Sequence, residues 1–133
     1  MHRGFLKFGA FFSMLSVVLG AMAAHSLKDK ISMYALNIFE TAVKYQFYHA
    51  IALILTGILI RFFPGRLMTA AGWCFVTGIV LFSGSLYALA AVKAAVQPGF
   101  RWLGPVTPVG GVFFIAGWLM MLAAFFKKPV DNP

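Results

Sequence analysis

The sequence predicts an all-α fold, a polytopic membrane protein built as a single four-transmembrane-helix bundle over residues 1–133. Of these residues 62% are hydrophobic and 11% are charged, whereas soluble domains are roughly 45–50% apolar and about 25% charged. The mean hydropathy is +0.89. Because each span needs about 20 mostly apolar residues, the chain has room for four spans and short loops, and none for an extramembrane domain.

The first span is predicted at residues 5–25. The stretch "AMA" at residues 21–23 has the small-x-small form of a signal-peptide cleavage site. The apolar run before it is longer than a signal-peptide core of about 7–15 residues. We therefore interpret this segment as a retained span.

Three further spans are predicted at residues 38–63, 67–92 and 105–126. The second helix begins near Ser32 or Asn37, because both residue types serve as N-caps. A Pro-Gly pair follows the second span, and such a pair ends a helix in a turn.

The formal net charge of +8 comes from basic residues beside span ends. Such residues reach toward lipid phosphates, so membrane lipids are expected partners and nucleic acid is not. With four spans both termini lie on one side, which holds six basic residues against five on the other, and the positive-inside rule then favours cytoplasmic termini. The six are Arg3, Lys7, Arg61, Arg66, Lys127 and Lys128, and the five are Lys28, Lys30, Lys44, Lys93 and Arg101.

Small residues recur at helical spacing in the first, third and fourth spans. Such a stripe allows close helix packing inside a membrane. The predicted helix-packing residues are Gly9, Ser13, Ser16, Gly20, Gly78, Gly84, Gly110 and Gly117.

Polar residues of all four spans are predicted to meet at one end of the bundle, whichever side is cytoplasmic. They lie at the end of the first span, the start of the second, the second half of the third and the start of the fourth. The candidate polar pocket comprises His25, Glu40, Thr41, Tyr45, Gln46, His49, Ser83, Ser85, Tyr87 and Thr107.

Within the second span, Thr41, Tyr45, Tyr48 and His49 follow the spacing of one helical face. Glu40 lies four residues before Lys44. This order, with the acid nearer the N-terminus than the base, is the favourable one for an ion pair within a helix.

His49 lies deeper, where an unpaired polar ring costs several kcal/mol. It is either a packing residue bonded to Ser83, Ser85 or Thr107, or a group that transfers protons or binds a metal or haem.

No cofactor, metal site or enzymatic activity is predicted. His25 and His49 could pair as haem ligands, but nothing else in the sequence specifies haem. The single cysteine, Cys74, lies in an apolar run and suits a small filler better than a nucleophile. No phosphate-binding glycine loop, nucleophile elbow or zinc-protease motif is present.

Four stretches together resemble a known family: "LGAMAAHSL" (19–27), "FETAVKYQFYHAIALIL" (39–55), "LFSGSLYALA" (81–90) and "LGPVTPVGGVFFIAGWLMML" (103–122). They are similar to the YgdD/YwdK-like small membrane proteins of bacteria, a family of unknown function with a small mitochondrial transmembrane relative in animals. The resemblance implies a four-helix, multi-pass protein of the bacterial inner membrane. It implies no reaction. Glycines expected beside Ala24 and after His25 are replaced, which puts a backbone bend there in doubt.

Two functions are compatible with the sequence. The first is a non-enzymatic packing, assembly or accessory subunit that associates with other membrane subunits or with itself as a homo-oligomer. The alternative is a protein that binds or transports a small molecule, proton or metal through a polar pocket in one leaflet.

Overall fold

The computed structural model describes residues 1–95 and 103–130, and these residues form helices and no strand. The predicted all-α fold is confirmed. The four helices long and apolar enough to cross a membrane are Arg3–Leu27, Met33–Leu59, Arg66–Ala94 and Leu103–Phe125, called here the first to fourth spans. The predicted loop ahead of the fourth span lies mostly outside the described residues.

The second span begins five residues before the predicted start at 38. Ser32 is its N-cap, and the Ser32 hydroxyl accepts a hydrogen bond from the Ala35 amide at 3.2 Å, which satisfies one of the amides that a helix start leaves free. The helix ends at Leu59, before the predicted end at 63. The turn that follows contains Gly65, whose φ of 148° favours glycine.

The third span contains a π-helical segment. It is α-helical over Arg66–Gly78, π-helical over Ile79–Ser83 and α-helical again over Gly84–Ala94. Because an i→i+5 bond encloses one more residue than an i→i+4 bond, the side chains after the segment are rotated about the helix axis. A second π segment, Ala23–Leu27, ends the first span, where the sequence lacks the glycines expected for a bend.

The first span packs mainly on the second, the second also on the third, and the third on the fourth. Several predicted packing glycines lie at these contacts. Gly9 faces the Ala50 carbonyl and Ile54, and Gly20 lies closest to Val43. Gly9 therefore allows close approach of the first helix pair, whereas a methyl group at Gly20 would make only ordinary contact.

On the fourth span, Gly110 lies against the backbone of Phe82, and Gly117 lies against the Phe75 ring. Gly78 of the third span accommodates Phe114 in the same way. These glycines let bulky rings or backbone approach where any side chain would collide.

The packing role predicted for Gly84 is wrong. A side chain at Gly84 would meet no atom within 4 Å. Gly84 follows the π segment directly, and the neighbouring residues Ser83 and Ser85 are the ones turned into the bundle, where both are buried. The other two predicted packing residues are serines of the first span. Ser16 is buried and bonds the Phe12 carbonyl, whereas the buried Ser13 hydroxyl has no partner among the described residues.

Candidate functional site

A cluster of polar side chains joins all four spans, and it extends from the middle of the bundle, where Gln46 is the central residue of the second span, toward the end opposite the termini. We call it the polar cluster. Its most buried members are Gln46, His49, Ser83 and Ser85, each no more than 6% exposed. The cluster consists of Gln46, His49, Ser83, Ser85, Tyr87 and Thr107.

Gln46 connects three spans. The Gln46 side-chain nitrogen donates to the Phe12 carbonyl of the first span at 3.0 Å. The Gln46 side-chain oxygen accepts from the Tyr87 hydroxyl of the third span at 2.9 Å. Because Gln46 is 2% exposed, water or lipid headgroups cannot replace these partners, and an amide without partners in this environment would cost several kcal/mol.

Removing the Gln46 amide is expected to destabilise the bundle. Gln46→Leu should lower the free energy of unfolding by about 2 kcal/mol, since Tyr87 loses its acceptor. Tyr87→Phe alone should cost about 1 kcal/mol, and adding it to Gln46→Leu should cost little more. Unfolding in mixed micelles of increasing dodecyl sulfate content measures all three.

Thr41→Val is the matched control for this cycle, because Thr41 is on the same helix and its hydroxyl bonds only the Asn37 carbonyl of its own span. Thr41→Val should change the free energy of unfolding by no more than about 0.5 kcal/mol. Fully additive losses for Gln46→Leu and Tyr87→Phe would contradict the bond between them.

Two serines join the third span to its neighbours on either side. The Ser83 hydroxyl donates to the Ala42 carbonyl of the second span at 2.9 Å. The Ser85 hydroxyl donates to the Phe82 carbonyl at 2.9 Å and lies 2.6 Å from the Thr107 hydroxyl of the fourth span. Because the one Ser85 proton is used on Phe82, Thr107 is the donor in the second bond.

Both ring nitrogens of His49 have partners. Nδ1 lies 2.8 Å from the Tyr45 carbonyl, which can only accept, so Nδ1 holds the proton. The indole N–H of Trp118 donates to Nε2 at 3.2 Å. The partners thus specify the neutral imidazole with its proton on Nδ1. The ring also stacks on Phe114, with centroids 3.5 Å apart and an interplanar angle of 7°.

This bonding limits the chemistry open to His49. A metal or haem ligand needs a free ring-nitrogen lone pair, and that of Nε2 already accepts from Trp118. Protonating Nε2 would likewise require Trp118 to give up its bond. Throughout residues 1–95 and 103–130, no three His, Cys, Asp or Glu side chains are grouped so as to hold a metal ion.

Four predicted pocket residues lie outside the polar cluster. His25 is exposed, and no hydrogen bond, ion pair or ring contact of its side chain occurs among the described residues. Thr41 bonds within its own helix. Tyr45 contributes its backbone carbonyl, while its ring is 41% exposed. Glu40 lines a separate cavity, and the ion pair with Lys44 that their spacing allows does not form between these two described side chains.

The predicted face of the second span lies only partly inside the bundle. The Tyr45 ring contacts Tyr48 and His49 of its own helix and Phe82 of the third span, whereas Tyr48 is 59% exposed. The buried face instead includes Ala42, Gln46, His49 and Leu53. Its small and apolar members mark it as the packed side.

Sequence reasoning missed the partners of His49 on the fourth span. Phe114 and Trp118 lie four residues apart and share a face with Gly110. That spacing, next to a glycine suited to close packing, is a signal that could have identified them. The Phe12 carbonyl leaves no such signal, because any residue type supplies a backbone oxygen.

Four apolar spans held together by an internal polar cluster define a small integral membrane protein, and comparison with known proteins gives its family. Residues 19–111 match the family described as "Protein of unknown function (DUF423)". The chain belongs to this family, which confirms the resemblance found in its sequence. No solved structure matches the chain.

Curated relatives cover almost the whole chain. A UPF0382 membrane protein of Staphylococcus haemolyticus is 43% identical over 92% of this chain and 95% of its own length. The UPF0382 membrane protein YwdK of Bacillus subtilis is 41% identical over 92% of this chain and 96% of its own. A UPF0382 membrane protein of Staphylococcus saprophyticus is 42% identical over 92% of this chain and 97% of its own length. The names of these relatives specify a membrane protein and no activity.

Proposed function

We propose that this protein is a non-enzymatic packing, assembly or accessory subunit of the bacterial cytoplasmic membrane. The proposal rests on one observation: the buried polar atoms of Gln46, His49, Ser83 and Ser85 are bonded to groups of the same bundle. The bonds of Gln46 and Ser83 join two helices, whereas those of His49 to Tyr45 and of Ser85 to Phe82 lie within one span. None of these four side chains is left without a partner in the bundle. In this interpretation the polar cluster fixes the arrangement of the spans.

The glycine stripes support a tightly packed bundle rather than a partner surface. Gly9, Gly78, Gly110 and Gly117 are used in contacts within the chain. A partner must therefore bind the outward faces, which carry large apolar side chains such as Val17, on the first span, 64% exposed. Partners could be other membrane subunits or further copies of this chain.

We also infer that both termini are cytoplasmic. The basic residues at that end include Arg3 and Arg66, both exposed, and Lys127 and Lys128 beyond the fourth span. Basic residues near span ends favour the cytoplasmic side.

The alternative, a protein that binds or passes a proton, metal or small molecule through the polar cluster, has less support. Beyond His49 the second span has one further buried polar group, the Thr56 hydroxyl, which bonds the Ala52 carbonyl of its own helix. Transport would require ionisable groups across the membrane.

Site-specific photocrosslinking in living cells tests the proposed accessory role. A photoreactive amino acid is placed at Val17, Leu55 or Ile115, each 45% exposed or more, and at Phe75, which is fully buried, as the matched control. We expect a discrete protein adduct from at least one outward position, because a subunit interface excludes lipid from part of that surface. Phe75 should give none.

Lipid adducts alone from all three outward positions, together with a monomeric mass in mild detergent, would contradict the accessory role. An adduct whose mass equals two copies of the chain would identify the partner as a second copy.

A further inference from the structure

A groove runs between the first and second spans on the lipid-facing side of the bundle. It consists of two cavities of about 240 and 300 Å³, both lined by Val43 and Lys44. The first cavity also reaches Glu40 and the second Tyr48. From Glu40 to Tyr48 the second span rises about 12 Å, which is the length of the groove along that helix.

Small residues of the first span create the groove. Ser16, Gly20 and Ala23, together with the exposed Val17, form its wall on that side. A methyl group at Gly20 would meet Val43 at 3.5 Å, which is ordinary contact, so the helices are spaced apart here rather than locked together. The inner part of the groove is almost wholly apolar, which suits a hydrocarbon chain.

One acidic and one basic side chain border the groove, Glu40 at its outer end and Lys44 between its two cavities. Glu40 and Lys44 are one helical turn apart, about 6 Å along the axis, and Lys44 is exposed. Each lacks an ion-pair partner within the described part of the chain. Glu40 is nearer the start of the span at Met33 and so nearer the membrane surface, and Lys44 is one turn deeper.

We propose that this groove binds one phospholipid with a zwitterionic aminophosphate headgroup, such as phosphatidylethanolamine. Lys44 pairs with the lipid phosphate, Glu40 pairs with the lipid ammonium, and one acyl chain lies along Ser16, Gly20 and Val43. The inference is independent of the accessory role proposed above.

The order of the charges selects this class of lipid. In an aminophospholipid the ammonium is outermost, the phosphate comes next and the acyl chains are deepest. Glu40, Lys44 and the apolar wall follow the same order along the second span. An anionic phospholipid without an amine would leave Glu40 unpaired beside its phosphate, which disfavours it.

Native mass spectrometry of the purified full chain in mild detergent tests the proposal. The protein is mixed with equal amounts of phosphatidylethanolamine, phosphatidylglycerol and phosphatidylcholine. We expect phosphatidylethanolamine to bind about fivefold more tightly than phosphatidylglycerol, the ratio that one extra charge pair near the surface gives. Phosphatidylcholine should bind with intermediate affinity, since its quaternary ammonium is attracted to Glu40 but donates no N–H hydrogen bond.

Two substitutions separate the headgroup contacts. Glu40→Gln should abolish the preference for phosphatidylethanolamine over phosphatidylglycerol. Lys44→Gln should weaken the binding of both phosphatidylethanolamine and phosphatidylglycerol by about fivefold. Lys93→Gln is the matched control, because Lys93 is exposed on the third span outside the groove, and it should leave the ratio unchanged.

Exchanging the charges tests their order. The double variant Glu40→Lys with Lys44→Glu keeps the net charge and composition, yet it should lose the preference for phosphatidylethanolamine. Gly20→Leu fills the groove and should remove all tight lipid binding, whereas Val18→Leu, at a 57% exposed position outside the groove, should not. Melting temperatures within a few degrees of the parent show that each variant is folded.

Equal binding of the three lipids by the parent protein would overturn the proposal. A retained preference in the charge-exchanged variant, or in Gly20→Leu, would overturn it as well.

Discussion

Gly110→Ala is expected to unfold or severely destabilise the protein, with a loss of roughly 3 kcal/mol in the free energy of unfolding. The added methyl group would collide with the backbone nitrogen and Cα of Phe82. Backbone at the π segment cannot move aside as a flexible side chain could, so the third and fourth spans must separate. Dodecyl sulfate unfolding and the yield of monodisperse protein measure the loss.

Gly111→Ala is the matched control for this substitution. It adds the same methyl group to the next residue of the same helix, where the Phe82 ring is at an ordinary distance of 3.8 Å. Because alanine is the better helix former, the variant should be neutral or slightly stabilised. Equal losses for the two variants would show that close contact at Gly110 is not what holds the spans together.

His49→Ala is expected to cost about 3 kcal/mol, similar to truncation of a buried aromatic ring. The substitution removes the stack on Phe114 and leaves the Trp118 indole without its acceptor. Tyr48→Ala, at the exposed neighbouring position, should have an effect within about 0.5 kcal/mol. The same unfolding assay compares the two.

His49→Phe distinguishes a packing histidine from a functional one. Phenylalanine keeps the ring and its stack and loses only the bonds to Tyr45 and Trp118, so about 1 kcal/mol should be lost. If the polar cluster is structural, His49→Phe should restore a deletion strain as well as the parent gene does. A folded His49→Phe protein that fails to restore it would support proton or ligand chemistry at this residue.

The sequence predicted the four spans and a meeting of polar residues from several spans inside the bundle, although Gln46 and His49 lie near its middle rather than at its end. Both follow from simple quantities: the length of apolar runs, and the alternating direction of successive spans. Five of the predicted residues lie together in the polar cluster: Gln46, Ser83, Ser85, Tyr87 and Thr107.

The side of the second span that faces the bundle could not be predicted in the same way. In a membrane, hydrophobicity does not separate the interior from the lipid-facing surface, and tyrosines are suited to the lipid interface. Tyr48 is therefore largely exposed and Tyr45 lies partly over Phe82, while Gln46 is buried. The spacing of polar residues alone does not separate the exposed Tyr48 from the buried Gln46.

The π segment limited prediction in the third span. Because each of its turns encloses one extra residue, the π segment rotates the residues that follow it about the helix axis. The direction in which Gly84 faces relative to Gly78 therefore does not follow from ordinary helical spacing. The partner of His49 was missed for a different reason. Trp118 is 69 residues further along the chain, and local pattern does not report on contacts between distant spans.

Four of the bonds in the polar cluster end on backbone carbonyls, those of Phe12, Ala42, Tyr45 and Phe82. A substitution at any of these acceptor positions leaves its oxygen in place, so no compensating change at Gln46, Ser83 or His49 is required. These bonds will therefore leave no paired substitutions in an alignment of relatives. Methods that infer contacts from coevolving positions will miss the bond from Gln46 to the first span and the bond from Ser83 to the second, whereas the Tyr87–Gln46 bond joins two side chains.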